Sequence, residues 1–578
     1  MKNYCLCISL LCISLLTKAQ SGPTYKMTLG EEIKLKKGTA DLDIIAADNT
    51  GLYFTEQRSG RTLFTIGATQ SSYKLYKIDK NFGEVFDKEY KKELKGLDFQ
   101  SFQTLGKDLF LFATDYEKKG KLFKVFGAKV DPNSGDLVGD FNELGSYGLE
   151  SKKDDYDMKV SPIRNGNSFL MVSNISGKDR VSIGVCLLNK SLKKVENTVI
   201  NLSFDPKLYQ LADVQYTSSN KIILLGKEFE ETQIGRKKKK RLVFKQYVMG
   251  ICDIDGKKEK DIKLDANSRY IISGKLIEQT NGELLLAGFY SDAPKKEDIT
   301  GFYINKINPE RGELLLSSFK EINSGMLGKG YEDAGDEDDE IKTNNKQAKK
   351  AKDDDDEEEF PNSYIIKSIG ISPADNSIII TSEVSAYSFY TYTTSTYNST
   401  TRSYTYRTTY VHRFTNRDIL LINADQNGQI KWLNSLPKSQ LEEVRTSSNS
   451  YGGFGYSYDR GSYFAASGGM PFYSSYNSLI YNNNLILILN DHTSNNVNTG
   501  YGDRVKTVVN FRKKSNAYGI SVDLSTGKMT RKIIASNNDE TVLMPRHSFV
   551  VNNEIFVPSW RQHLMAKTEL RFAKITVK

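Results

Sequence analysis

Short runs of large apolar residues recur along the chain, each bounded by polar turns. No stretch carries a sustained helical period. The runs are Leu52-Tyr53-Phe54, Leu109–Phe112, Phe169–Val172, Ile222–Leu225, Leu284–Ala287, Ile378–Ile380, Leu485–Ile488 and Ile555–Val557. Runs of this length and composition, flanked by Gly, Asn and Asp, read as strands. A second strand follows each run, then a tight turn, then a third strand. The turns read Asp79 to Gly83, Asp131 to Gly135, Asp255-Gly256, Asn308 to Gly312, Asp425 to Gly428 and Asp523 to Gly527. Asp and Asn support such turns by bonding to nearby backbone N–H groups, and Gly supplies positive φ. The third unit departs from the pattern with Asn189-Lys190-Ser191-Leu192, which has no Gly.

Each unit has room for one more strand ahead of its apolar run, as at Leu42–Ala46 and Tyr364–Ile371. A four-stranded antiparallel unit cannot bury both of its faces alone, but a ring of such units buries each against the next. The pattern therefore predicts an all-β fold, an antiparallel β-propeller with eight blades, or seven if one strand is misplaced. The last unit, Val542–Val551, Ile555–Ser559 and Leu570–Val577, lacks a fourth strand. The segment Tyr25–Leu35 is strand-like and has no partner of its own, so it is expected to complete that blade and close the ring.

The steps between apolar runs lengthen after 284 and after 378, which marks insertions. Residues 321–362 are charge-rich and end in Asp353–Asp356 and Glu357–Glu359. Such a run repels itself and buries nothing, which predicts disorder. Residues 385–412 are rich in Tyr, Thr and Ser, and residues 446–477 in Gly, Tyr, Ser and Asn. Both are expected to be loops or projecting hairpins.

Lys2, an apolar run from Tyr4 to Leu16 and the ending Thr17-Lys18-Ala19 have the layout of a secretory signal peptide, residues 1–19. The propeller would then span 20–578, with export to the periplasm or the outer-membrane surface. The formal charge is +9. Residues 331–359 carry fourteen acidic and five basic residues, so the rest of the chain is strongly basic, a balance that favours anionic partners. Of five cysteines only Cys186 and Cys252 lie beyond the leader, as one bridge or two buried thiols. A large core must hold the chain together.

Leu420-Leu421-Ile422-Asn423-Ala424-Asp425-Gln426-Asn427-Gly428-Gln429-Ile430-Lys431-Trp432 resembles the blade signature of quinoprotein-type propellers, in which an Asp-x-x-Gly turn precedes a strand ending in Trp. The other units show the turn without the Trp. The resemblance implies a propeller, and it covers quinone-dependent dehydrogenases as well as outer-membrane assembly subunits. No residues match a quinone site, so the non-enzymatic branch is favoured and no cofactor is expected. The leader ending in Lys-Ala-Gln and the Tyr/Asn/Lys-rich body resemble exported proteins of Bacteroidetes-type bacteria.

Candidate chemistry is sparse. His412, His492, His547 and His563 form no zinc motif. Asn423, Asp425, Asn427 and Gly428 mimic the start of a calcium loop, but Asn434 stands where a bidentate Glu is needed. No metal is expected, and no catalytic residue is assigned. No Gly-x-Ser-x-Gly elbow, phosphate loop or dinucleotide fingerprint occurs, and no nucleic-acid partner is expected. A carbohydrate-active enzyme would need paired carboxylates at the channel. Glu56, Asp115, Glu228, Glu383 and Asp491, near the ends of the apolar strands, are the candidates.

The run Arg236, Lys237, Lys238, Lys239, Lys240 and Arg241 reads as an exposed hairpin tip suited to peripheral contact with an anionic membrane surface. Tyr387, Tyr390, Tyr392, Tyr404 and Tyr406 in one insertion, and Tyr456, Tyr463 and Tyr473 in the other, have the composition of a recognition surface. Tyr offers contact area at low entropic cost and a directional hydroxyl. The leading expectation is a non-enzymatic exported propeller that binds a protein or glycan partner in the bacterial envelope. A glycosidase or lyase, and an outer-membrane assembly scaffold, are the alternatives.

Overall fold

The computed structural model describes residues 22–578 apart from 36–38, 49, 59–71, 152, 165, 235–238, 265–268, 293–298, 323–330, 333–357, 447–470, 498–499, 501–502, 538–541, 552–553 and 562–568. The expected leader and the tyrosines Tyr456 and Tyr463 lie outside the described residues, as do Arg236, Lys237 and Lys238 of the basic run. No described helix is long and apolar enough to cross a membrane.

The described strands form eight antiparallel sheets of four or more strands, with one further two-stranded pairing. The chain is an antiparallel β-propeller. Within the first seven sheets the strands follow chain order from one edge to the other. The leading strands of neighbouring sheets lie against one another, Thr39–Asp48 beside Asp98–Leu105 and that strand beside Asp155–Pro162, so they form the inner wall around the axis.

Burial explains which strands the sequence announced. The apolar runs are the second strands, covered on both faces by neighbouring sheets. Leu284–Ser291 is buried at every residue. Outer strands such as Lys194–Leu202 expose most positions and read as polar. Eight apolar clusters sit between consecutive sheets. One joins Tyr53 and Leu75 of the first sheet to Phe102 and Leu111 of the second. Another joins Ile486 and Ile488 of the seventh to Ile555 and Ala573 of the eighth. The ring closes where Phe54 and Tyr76 of the first sheet pack with Phe556 and Phe572 of the eighth. Tyr25–Leu29 pairs antiparallel with Glu569–Val577, Tyr25 opposite Val577, so the N-terminal strand supplies the missing edge of the last sheet.

The turn residues behave as their chemistry demands. Asp79 Oδ1 accepts the N–H groups of Asn81 and Gly83 at 2.7 and 2.9 Å, and Asp425 Oδ1 accepts those of Asn427 and Gln429, both at 2.8 Å. Residues 423–428 therefore make a hairpin turn. In the third sheet Asn189 Oδ1 bonds Ser191 N and Lys193 N, and Leu192 takes the left-handed conformation (φ 54°) that Gly428 (φ 79°) takes in the sixth. A leucine there is strained, and the first sheet carries the same strain, because Phe82 (φ 70°) rather than Gly83 takes the left-handed conformation at its turn.

These turns also dock the blades. Trp432, on the outer strand of the sixth sheet, donates Nε1–H to the Leu524 carbonyl at 2.8 Å, and Asn434 Nδ2 reaches the Gly527 carbonyl at 2.6 Å. A Cβ on Gly527 would lie 2.9 Å from the Trp432 ring. At the same offset from its own turn, Phe86 of the first sheet covers Gly135 of the second. Thr198 donates to the Asp255 carbonyl at 2.8 Å, beside Gly256 of the fourth sheet. Cys186 and Cys252 are buried free thiols on different sheets, and burial pushes both up to about 11.

Trp432→Ala should lower stability by ~2 kcal/mol through lost packing and the loss of one of two hydrogen bonds on the Leu524 carbonyl, which Asn423 Nδ2 also reaches at 2.8 Å. Gly527→Val should have a similar effect, read as the thermal unfolding midpoint. An unchanged midpoint in both would mean that the turn docking contributes nothing.

Candidate functional site

The Tyr-rich insertion is a continuation of the sixth sheet. Ile378–Asn398 and Ser403–Ala424 pair along one long hairpin, Tyr397 opposite Tyr404 at its far end. Alternation places Tyr387, Phe389, Tyr397, Tyr404, Tyr406, Tyr410, His412 and Phe414 on one face, because opposed residues share a face and successive ones do not.

The stripe changes character along its length. At its base Tyr387 and Phe414 are buried, with ring centroids 5.2 Å apart. They belong to the cluster that holds Phe472 and Trp560, whose rings are 5.0 Å apart. The base is thus core, and Gln440–Thr446 adds a strand beside it. At the far end Tyr397, Tyr404 and Tyr406 are 52%, 60% and 70% exposed. The Tyr397 and Tyr404 rings are 5.0 Å apart, and those of Tyr404 and Tyr406 6.4 Å. Thr393 and Thr408 share a hydroxyl hydrogen bond at 3.0 Å below them.

Two tyrosines expected at a contact surface are therefore core residues. Tyr387 Oη meets His412 Nδ1 at 2.9 Å, and the wholly buried Tyr390 donates to Glu443 at 3.3 Å. The reason is the added strand and the 471–475 segment, which cover the hairpin's base. Tyr392 is half-buried, and Tyr473 donates to the Trp560 carbonyl at 2.9 Å. Lys239, Lys240 and Arg241 lie at the end of a separate hairpin, paired with Ile234, Gln233 and Thr232.

The carboxylates singled out by sequence are engaged by neighbours. Glu56 accepts from Tyr76 at 2.5 Å, and Glu228 from Gln246 at 2.5 Å. Asp491 meets Arg531 at 2.5 Å and accepts from Asn495 at 2.9 Å. Glu383 lies 2.6 Å from Lys438 and 3.1 Å from Lys367, and accepts from Ser475 at 2.6 Å. Burial pushes its carboxyl up, but Lys438 and Lys367 outweigh burial and hold it below the ordinary range. Asp115 is half-buried at the end of its apolar strand. Glu442 is buried and accepts the N–H groups of Phe472, Tyr473 and Ser474 at 2.7, 3.0 and 2.7 Å, which fixes the covering segment.

The inner strands carry charges that the sequence reading did not select. Ser101, Lys159, Asp213, Lys275, Ser368 and Asn477 each oppose the fourth position of their sheet's apolar strand, namely Phe112, Val172, Leu225, Ala287, Thr381 and Ile488. They form one polar level around the axis. Four of these strands have a bulge just before that level, between Phe99 and Ser101, Leu211 and Asp213, Ile271 and Ser273, and Ile366 and Ser368. Bulges re-aim side chains and interrupt periodicity, which is why alternation could not reveal this level. Asp157, two residues before Lys159 on the same strand, is exposed, and desolvation of its carboxyl pushes it up to about 6.

His412 and His547 are held neutral. Burial pushes His412 down to about 4, and burial followed by Arg546 does the same for His547, whose Nε2 lies 2.9 Å from the Pro471 carbonyl. His492 Nδ1 accepts from Ser494 N at 3.0 Å, and His563 lies outside the described residues. Among the described residues no group of three or more His, Cys, Asp or Glu is arranged to hold a metal.

The chain matches no protein-family model, and no curated protein matches it. Some solved structures are similar to it at low identity and low TM-score. A protein of unknown function from Bacteroides caccae is 11% identical over 69% of this chain and 94% of its own, at a TM-score of 0.25. The β-propeller domain of the Trilobed protease from Pyrococcus furiosus is 10% identical over 71% of this chain and 99% of its own, at 0.30. The α-L-arabinofuranosidase PaAbf62A from Podospora anserina is 13% identical over 50% and 98%, at 0.24.

The two histidines set a pH response. Their folded pKa values lie below the unfolded value of ~6.5, so the unfolded chain binds more protons below that pH. Their stabilisation is complete above ~6.5 and falls as pH drops toward about 4. Asp157, raised in the fold, acts with the opposite sign. The unfolding midpoint of wild type should therefore fall more steeply between pH 7 and 4 than that of His412→Gln. Parallel curves would contradict the assignment.

Proposed function

We propose that this chain is a non-enzymatic exported propeller of the bacterial envelope that binds a partner through the far half of the long hairpin of the sixth sheet. The observation that carries the reading is the exposed cluster of tilted rings Tyr397, Tyr404 and Tyr406 on a rib whose base is locked into the core. A rigid base with exposed tyrosines and neighbouring Thr and Ser hydroxyls loses little entropy on binding. A protein partner is favoured over a glycan because an extended ribbon of alternating Tyr and hydroxyl residues offers directional bonds along with ring area. The enzyme reading is less well supported. Glu56, Glu383 and Asp491 are buried and already engaged by Tyr76, by Lys438 and Lys367, and by Arg531.

Tyr404→Ala combined with Tyr406→Ala should weaken capture of envelope proteins by the purified chain by at least about tenfold, the scale of interface aromatic anchors. The unfolding midpoint should stay unchanged. A glycan array run in parallel identifies the alternative partner class. Full capture by the double variant would refute the hairpin as the contact surface.

A further inference from the structure

The axis carries a set of charges that the hairpin does not use. Lys159, Asp213 and Lys275 stand at one level on three consecutive inner strands. On the next inner strand the bulge between Ile366 and Ser368 inserts Lys367 beside that level. The two lysines of adjoining strands abut, since Lys275 Nζ donates to the Lys367 carbonyl at 3.0 Å.

Counter-charge here is shared. Lys159 draws on Asp213 and Asp157, Lys275 draws on Asp213, and Lys159 disfavours a charge on Lys275. Asp213 is also held by Gln215, whose amide spans its Oδ2 and the Leu276 carbonyl, both at 2.9 Å. Lys367 faces Glu383, Arg546 and Lys438, and Glu383 is already 2.6 Å from Lys438. The carboxylates that face these groups are Asp157, Asp213 and Glu383, and Asp418 Oδ1 accepts the Lys438 backbone N–H at 3.3 Å. Burial pushes Lys159, Lys275 and Lys367 below the ordinary lysine range despite these carboxylates. Lys159 and Lys275 remain open to solvent, and an arriving anion would offset their desolvation by favouring the charged form.

We propose that Lys159, Lys275 and Lys367 form a binding site on the channel wall for a small oxyanion, a carboxylate or phosphate group. The site is separate from the hairpin and does not depend on its role.

Calorimetric titration of the full chain with glucuronate and, separately, with inorganic phosphate tests it at low ionic strength. At least one should bind. Lys275→Met and Lys159→Met should each weaken binding by about tenfold, the loss expected for one charge-assisted hydrogen bond. Lys129→Met, which removes a lysine paired with Asp108 at 2.6 Å away from the axis, should leave binding unchanged. The Tyr404→Ala/Tyr406→Ala variant should also bind normally, which separates this site from the hairpin. Glucuronate alone would mark a sugar acid as the ligand class, and phosphate alone a phosphoryl group. Binding of neither, or equal binding by Lys275→Met and Lys159→Met in chains with a wild-type unfolding midpoint, would overturn the proposal.

Discussion

The ring depends on one repeated contact. A side chain on the outer strand of one sheet stands over the turn of the next, where an Asp or Asn ties up the backbone and a left-handed glycine such as Gly135, Gly256 or Gly527 leaves out the Cβ. Trp432 over Gly527 and Phe86 over Gly135 are the aromatic versions, and Thr198 at Gly256 is the polar one. The apolar clusters between sheets are non-directional, so they favour stacking without fixing the angle. The turn contact is directional. It sets how far each sheet slides against its neighbour, and with that the level at which every inner-strand residue meets the axis.

That constraint explains what could be read in advance. Leu284–Ser291 and its equivalents are covered on both faces, so their sequences are almost uninterrupted apolar runs and the repeat stands out. The turns were legible because Asx and Gly chemistry is local. Trp432 was visible as a signature, but its partner, the Leu524 carbonyl, belongs to the next sheet and has no sequence mark. The inner strands were hardest to read. One edge of each faces the axis, and bulges before Ser101, Asp213, Ser273 and Ser368 break the alternation that would have marked Lys275 as facing inward.

The tyrosines show a different limit. Composition suggested a recognition surface in the insertion, and at its outer end Tyr404 and Tyr406 lie in solvent. Tyr387 and Tyr390 have the same local sequence character, yet they lie under the strand Gln440–Thr446 and the segment fixed by Glu442. Those covers come from later in the chain, and nothing in residues 385–412 foretells them. The result is a rib that is core at one end and surface at the other. The single ring thus offers two separate chemistries, aromatic at the hairpin's end and cationic at the axis.

Both surfaces require a closed ring, and closure rests on the pairing of Tyr25–Leu29 with the C-terminal strand. Lys26 lies opposite Thr576 in that register. Directly opposed residues of antiparallel strands have Cα atoms ~4.5–5.5 Å apart, within disulfide reach. The most direct measurement is oxidation of a Lys26→Cys/Thr576→Cys variant in its native state, followed by non-reducing electrophoresis. The account predicts rapid intramolecular crosslinking and a raised unfolding midpoint that reverts on reduction. Cysteines at positions 26 and 576 that stay reduced in the folded protein would contradict closure by this strand.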